Sequence, residues 1–159
     1  MTRYVYVGGA THSAGVDRPD GIHVFHMDLE SGAMDEVQAV ESGPNPTFLT
    51  LSPDRRVMFA VNETVDGAAS AFHVDPATGR LAFVNRVMVG ADSPCYLSID
   101  PSGRWVLIAN YSSGSISVLP VESGGRLGER LQVVTHDGSS SDLRRRLISR
   151  LRMASSKTR

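Results

Sequence analysis

The feature that most constrains this chain is an internal repeat of about 48 residues. The segment 48–62 aligns with the segment 96–110, which lies 48 residues later. A second pair, 24–34 and 71–81, repeats at an offset of 47, and 118–127 is a shorter third copy. Repeats of this length, built of short strands and polar turns, are typical of the blades of a β-propeller.

Strands and tight turns alternate along the repeat. The segment 115–118 alternates serine with isoleucine and valine, which predicts a half-buried strand. The runs 57–61 and 106–109 are continuously apolar, which predicts strands buried on both faces. Turns are predicted around Pro53 and Pro101, because proline fixes φ there. Helical spacing with caps is absent from the repeats, so the fold class is all-β, with about eleven strands.

Charge divides the 159 residues into two predicted regions. Residues 1–136 carry nine Lys and Arg against fifteen Asp and Glu, a net of −6. Residues 137–159 carry seven against two, a net of +5, and their composition shifts to Ser, Arg and Leu. We therefore predict a partial β-propeller over 1–136 and a basic, irregular or weakly helical tail over 137–159.

The repeat length limits the number of blades. About 48 residues per blade gives roughly three blades before the tail, whereas closed propellers have about four to eight. The chain is therefore expected to be a fragment or a piece that assembles with other copies. Its last blade would expose an apolar strand edge, which favours self-association.

Composition excludes several classes of function. The net charge of −1 gives no reason to expect nucleic acid or an anionic membrane as the partner. Apolar runs are too short to span a bilayer, and no targeting segment is evident. Cys95 is the single cysteine, and His23 and His26 fall on opposite faces of a strand, so no metal site is expected. No cofactor motif is found, and a cytoplasmic location is predicted.

Several short segments share their order and spacing with a known family. They are 4–8, 45–49, 51–54, 60–63, 93–95, 109–111 and 136–139. These segments resemble the opening of the lactonase-family β-propellers, which include propeller-type 6-phosphogluconolactonases and muconate-cyclising enzymes. Members are typically seven-bladed and more than twice this long. The resemblance covers about 1–139 and implies a truncated form with the first two and a half to three blades.

Two departures from the family pattern stand out. Tyr96 occupies a position where members commonly have histidine after Pro-Cys. After 136–139 the family usually continues to Pro-His-x-His, whereas here no histidine follows Arg144 and Arg145. The tail is therefore interpreted as foreign sequence, of the kind that a frameshift produces.

Strand parity predicts where a site would lie. In a four-stranded antiparallel meander, the start of the first strand and the ends of the second and fourth strands share one side. Polar side chains at the ends of rigid strands can hold a small ligand. The residues expected to gather on this rim are Asn45, Asn62, Glu63, Cys95, Asn110, Tyr111 and His136.

Glu63 and His136 are the candidate catalytic residues, because both can exchange a proton near neutral pH. Each residue could instead have a structural role and stabilise a turn. The substrate-binding candidates are Asn62, Asn110, Tyr111 and Arg144. The two asparagines could instead cap blade turns, and Tyr111 could simply cover the rim.

The resemblance implies hydrolysis of a small sugar-acid lactone, such as 6-phosphogluconolactone, to the open acid. The small-molecule lactone would be the partner. Ring opening requires an activated water and stabilisation of the developing oxyanion. Two alternatives stay open from the residues alone. The chain could be a non-catalytic ligand-binding or assembly module, or a non-functional fragment.

Overall fold

A computed structural model describes residues 3–13, 16–17 and 20–135, and these residues form thirteen strands and one 3₁₀ turn at Ser123–Gly125. His136, Arg144 and the predicted tail lie outside the described residues. The strands are β1 (Arg3–Gly8), β2 (His12–Ser13), β3 (Val16–Asp17), β4 (Asp20–Met27), β5 (Met34–Glu41), β6 (Phe48–Leu51), β7 (Val57–Asn62), β8 (Ala68–Val74), β9 (Leu81–Met88), β10 (Pro94–Ile99), β11 (Trp105–Asn110), β12 (Ser115–Pro120) and β13 (Gln132–Thr135).

Eleven of these strands form three antiparallel sheets, which we call blades. Blade 1 has the order β1-β4-β5, blade 2 has β6-β7-β8-β9 and blade 3 has β10-β11-β12-β13. The register repeats as the sequence predicts: Phe59 pairs with Ala71 in blade 2, and Leu107 pairs with Val118 in blade 3. The prediction of an all-β partial propeller is confirmed.

Blade 1 differs from the other two. Its strands correspond to the second, third and fourth strands of blade 2, since Tyr4 pairs with His26 as Val57 pairs with His73 along equivalent strands. Within the described residues, the first-strand position of blade 1 is unfilled. The short hairpin β2–β3 lies between β1 and β4 and was not predicted from the sequence.

Apolar side chains fill the spaces between successive blades. The layer between blades 1 and 2 contains Ile22, Val24, Val40, Met58, Ala60, Phe72 and Leu81. The layer between blades 2 and 3 contains Val57, Phe59, Val61, Ala69, Ala71, Val89, Leu97, Val106, Ile108, Leu119 and Leu127. Alternate residues of β7 face the two layers, so the whole of Val57–Asn62 is buried. The prediction for the run 57–61 is confirmed.

The matching prediction for the run 106–109 is wrong. Val106 and Ile108 are buried against blade 2, but Leu107 between them is 39% exposed and Ala109 is only half-buried. The reason is positional: Leu107 points to the side of blade 3 away from blade 2. No described residue packs a further blade on that side.

Candidate functional site

The ends of β7 and β11 and the segments that precede β6 and β10 meet on one side of the blades, as parity predicted. We call this side the strand-end rim; its described residues are 45–47, 62–67, 93–95 and 110–114. In blade 2 the Glu63 N–H donates to the Asn45 carbonyl at 2.9 Å. In blade 3 the Tyr111 N–H donates to the Ser93 carbonyl at 2.8 Å. The same backbone bond thus fixes the rim in both blades.

Glu63 presents a carboxylate that is partly exposed at the rim. The Thr47 hydroxyl donates to Glu63 Oε2 at 2.6 Å, which leaves the second carboxylate oxygen for another partner. The Asn45 side-chain amide donates to the Glu63 carbonyl at 3.1 Å and fixes the backbone behind it. Thr47 was not predicted as a site residue, although it lies two residues after the candidate Asn45.

A second layer of hydrogen bonds holds Asn45 itself. The Thr11 N–H donates to Asn45 Oδ1, and the Asn45 N–H donates to the Thr11 hydroxyl, both at 2.9 Å. Thr11 is 5% exposed and belongs to the segment after β1. The rim of blade 2 is therefore braced from blade 1, a long-range contact that no local sequence pattern signals.

Asn45 and Ser93 occupy equivalent positions, and both have a left-handed backbone. Their φ angles are 49° and 54°, and each precedes a proline. A left-handed backbone costs a residue with a Cβ about 1 kcal/mol or more. Asn45 is held there because its carbonyl accepts the N–H groups of both Thr47 and Glu63. Strain of this kind is concentrated at functional sites in proteins.

The structure places Asn62 in the interior. Its side chain is 1% exposed, and its Nδ2 donates to the Ser42 and Pro44 carbonyls at 2.9 Å each. Its Oδ1 accepts the Ser70 hydroxyl at 2.7 Å, and Ser70 in turn accepts Arg86 Nε at 2.9 Å. The amide therefore ties blade 2 to the chain that leaves blade 1.

Asn110 is equally buried, at 2% exposure, but its bonding differs. Its Nδ2 donates to the Ser115 and Ser117 hydroxyls at 3.2 and 2.9 Å. Ser117 donates to the Val89 carbonyl and not to the asparagine. Asn110 Oδ1 is left without a hydrogen-bond partner among the described residues. A direct substrate-binding role for either asparagine stays a prediction.

Two exposed aromatic side chains lie on or beside the rim of blade 3: Tyr111 on the rim, and Tyr96 next to it on β10. Tyr111 is 57% exposed at the position equivalent to Glu63. Tyr96 is 50% exposed, and its ring lies 4.5 Å from that of Phe48, centroid to centroid. Cys95 is the extra residue in the register shift between β10 and β11 and is partly buried. The rim thus combines one oriented carboxylate with apolar ring surfaces.

Metal-ligand clusters and long apolar helices are both absent from the described residues. In that part of the chain, no cluster of three or more His, Cys, Asp or Glu side chains could hold a metal ion. It likewise contains no helix of the length and apolar character needed to cross a membrane. His23 and His26, which parity placed on opposite faces, contact different neighbours: His23 contacts Glu36, and His26 contacts Tyr4.

The blade architecture defines a β-propeller whose strand ends gather on one side. A family model described as "Lactonase, 7-bladed beta-propeller" matches residues 4–151. The chain therefore belongs to the lactonase family of seven-bladed β-propellers. The match continues past residue 136, and the domain boundary predicted there stays a prediction.

Individual relatives agree with this family. The chain is 31% identical over 140 residues to a 6-phosphogluconolactonase of Bacillus subtilis, which covers 87% of this chain and 39% of that protein. It is 32% identical over 122 residues to a 6-phosphogluconolactonase of Formosa agariphila, at 75% and 35% coverage. The chain thus spans less than half the length of these relatives.

A solved structure resembles this chain at a similar level of sequence identity. The periplasmic gluconolactonase of Pseudomonas aeruginosa superposes with a TM-score of 0.81 at 33% identity. That alignment covers 91% of this chain and 41% of the other. The arrangement of three consecutive blades is therefore shared with a lactonase structure, and the remaining length of that structure has no counterpart in this alignment.

Proposed function

We propose that the strand-end rim of this chain forms part of the substrate site of a lactonase that opens a small sugar-acid lactone. The observation that carries the proposal is the Glu63 carboxylate, which is held at the rim by the Thr47 hydroxyl. The names of the relatives support the reaction class, since they are 6-phosphogluconolactonases and a gluconolactonase.

The chemistry assigns one step to the carboxylate. Water adds to the lactone carbonyl carbon, and its proton passes to Glu63 as general base. The bond from that carbon to the ring oxygen then breaks, and the ring oxygen takes a proton to become the hydroxyl of the open acid. His136 is the group we propose as the proton donor, on the basis of parity. Because Thr47 donates to Oε2, Oε1 is the oxygen available to the water.

The substrate we propose is a 6-phosphogluconolactone-like molecule. Its phosphate requires cationic groups, and Arg144 is the residue that we predict for that role. The exposed rings of Tyr96 and Tyr111 offer apolar surface to the sugar carbons. We predict that the protein is located in the cytoplasm.

A complete ring is needed to test this activity. We therefore suggest a chimera in which residues 1–136 of this chain precede the remaining blades of the Bacillus subtilis relative. The chimera is expected to hydrolyse 6-phosphogluconolactone, and Glu63→Gln is expected to lower kcat/KM by about 10²–10⁴. Glu36→Gln is the matched control, since Glu36 is an exposed carboxylate on β5, away from the rim.

A second variant separates catalysis from binding. Thr47→Val removes the hydroxyl that orients the carboxylate and should lower kcat more than it raises KM. If Glu63→Gln hydrolyses the lactone within about threefold of the parent chimera, Glu63 is not the general base and its contact with Thr47 is structural. If the chimera binds lactone without turnover, the rim is a binding module.

A further inference from the structure

The blades of this chain are joined by a repeated amide clamp. Gln38 Nε2 donates to the Leu81 carbonyl at 3.0 Å, and the Leu81 N–H donates back to Gln38 Oε1 at 2.8 Å. One repeat later, Asn85 Nδ2 donates to the Leu127 carbonyl at 2.7 Å, and the Leu127 N–H donates to Asn85 Oδ1 at 3.0 Å. In each case a side-chain amide on the fourth strand of one blade bonds both the backbone N–H and the backbone carbonyl of one residue in the next blade.

A glycine contact accompanies each clamp. At the joint between blades 1 and 2, a Cβ on Gly79 would lie 2.2 Å from the Tyr4 ring. At the joint between blades 2 and 3, a Cβ on Gly125 would lie 2.4 Å from Val57. Both glycines have a left-handed φ, 67° and 75°. Only glycine therefore allows the neighbouring blade to approach this closely.

Blade 3 repeats the projecting half of this joint on its open side. Gln132 lies 47 residues after Asn85, as Asn85 lies 47 after Gln38, and its exposed side chain makes no clamp within the described residues. Trp105 lies 48 residues after Val57 and is half-buried. Leu107 lies beside it on the same open face and is 39% exposed.

Blade 1 repeats the receiving half. Met34 lies 47 residues before Leu81 and is 52% exposed. The hairpin bond from the Asp28 N–H to the Ala33 carbonyl, at 2.9 Å, has its counterpart one repeat later, before Leu81. Met34 therefore occupies the position in blade 1 that Leu81 occupies in blade 2. Its backbone N–H and carbonyl lie at the outer edge of the blade 1 sheet. Gly32, 47 residues before Gly79, has a φ of 73° and open space beside its Cα.

We propose that blade 3 of one copy packs on blade 1 of a second copy through this same joint. Gln132 then clamps the Met34 backbone of the second copy, and Trp105 covers its Gly32. The contact is heterologous, since the two surfaces differ, so an open assembly keeps one free face of each kind at its two ends and can either close or extend. The occupant is a second copy because both halves of the joint stand on described residues of one chain.

The apolar surface fits this arrangement. Leu107 and Ile116, 39% and 37% exposed, occupy the positions of Phe59 and Ala69, which are fully buried between blades 2 and 3. On blade 1, Val7 is 45% exposed on the face away from blade 2. Association covers these side chains as the internal joint covers their equivalents.

Two variants and their mixture test the proposal. Leu107→Asp places a charge on the projecting face, and Val7→Asp places one on the receiving face. Sedimentation velocity should show the wild-type chain at twice its 17.1 kDa mass or more, and each variant at the monomer mass. Val65→Asp is the control, because Val65 is 68% exposed on the rim and outside both faces; it should associate as the wild type does.

The mixture decides between head-to-tail and face-to-face contact. Leu107→Asp keeps an intact blade 1 and Val7→Asp keeps an intact blade 3, so an equimolar mixture should form a dimer of one chain of each. In that dimer the emission of Trp105, the single tryptophan, should shift to shorter wavelength. A mixture that stays monomeric, or a Val7→Asp chain that dimerises alone, overturns the proposal. So does a wild-type chain that stays monomeric at every concentration, which would leave the face to a following blade of a longer chain.

Discussion

Blades 2 and 3 are built from nearly the same pattern, yet they end in different environments. Blade 2 has a neighbour on both sides, and every residue of Val57–Asn62 is buried. In blade 3 the equivalent strand alternates between buried and exposed side chains, with Leu107 at the position of Phe59. An apolar run therefore specifies a strand that can be buried on both faces, and the neighbouring blades decide whether both faces are in fact covered.

The largest effect is expected from a pair of equivalent core substitutions. Phe59→Ala should lower the free energy of unfolding by about 3–5 kcal/mol, because Phe59 is fully buried between two blades. Leu107→Ala should cost less than about 1 kcal/mol in the monomer, because Leu107 is partly exposed. Urea titration at a concentration low enough to keep the chain monomeric measures both. Equal losses would mean that the two faces are equally covered.

The buried asparagines give the next contrast. Asn62→Ala leaves two backbone carbonyls and the Ser70 hydroxyl without their partner, so we expect a loss of about 2–3 kcal/mol. Asn110→Ala should cost about 1 kcal/mol, because it also removes the unpaired Oδ1 from the interior. Thermal unfolding of the two variants gives the order. If the Asn110→Ala chain is the less stable of the two, the conclusion that the Asn62 amide contributes more to stability is wrong.

The turns that precede β7 and β11 each contain a serine-to-aspartate hydrogen bond, but the two residues occur in opposite order along the chain. In blade 2 the Ser52 hydroxyl donates to Asp54, and in blade 3 the Ser102 hydroxyl donates to Asp100. These bonds hold the pKa of both carboxyls below the ordinary value of 3.8. The double exchange Ser52→Asp with Asp54→Ser should therefore unfold near the wild-type temperature, whereas Asp54→Ser alone should unfold lower.

The same carboxylates predict an acid dependence. Because their folded pKa is lowered, they contribute stability above pH 3.8 and lose it as the pH falls through the lowered value. The melting temperature should fall between about pH 4 and about pH 2, and less steeply in Asp100→Asn. A slope unchanged by Asp100→Asn would show that this turn makes no contribution to the acid dependence.

The smallest change in stability is expected at the rim. Glu63→Gln keeps the shape of the side chain and its acceptor for Thr47, so unfolding should change by less than about 0.5 kcal/mol. A chimera variant that loses activity but keeps this stability would assign Glu63 to chemistry. A loss above about 2 kcal/mol would assign it to the architecture of the rim.

Much of the fold follows from local signals in the sequence. The 48-residue offset between the segments around Pro53 and Pro101 predicts equivalent turns, and the structure has them. Parity also places Glu63 and Tyr111 on one rim without any knowledge of their neighbours. These predictions succeed because strand alternation and turn chemistry depend on residues that are close in sequence.

The contacts of the site could not be predicted in the same way. Thr47 and Thr11 carry no motif that marks them as supports of Glu63 and Asn45, and their bonds span 16 and 34 residues. Asn62 and Asn110 look alike in sequence, but one amide is fully bonded and the other is not. Ser70 accepts from Arg86 and donates its hydroxyl to Asn62, whereas the equivalent Ser117 donates its hydroxyl to the Val89 carbonyl.

The repeat, the strands, the turns and the side of the blades on which polar strand ends gather are all encoded locally, because each depends on short-range backbone geometry. Three other properties depend on the packing of the blades: which apolar faces are covered, how the amide clamps join the blades, and which carboxylate oxygen stays available at the rim. Those properties depend on atoms brought together from distant repeats, and a side chain's environment is set by what packs against it.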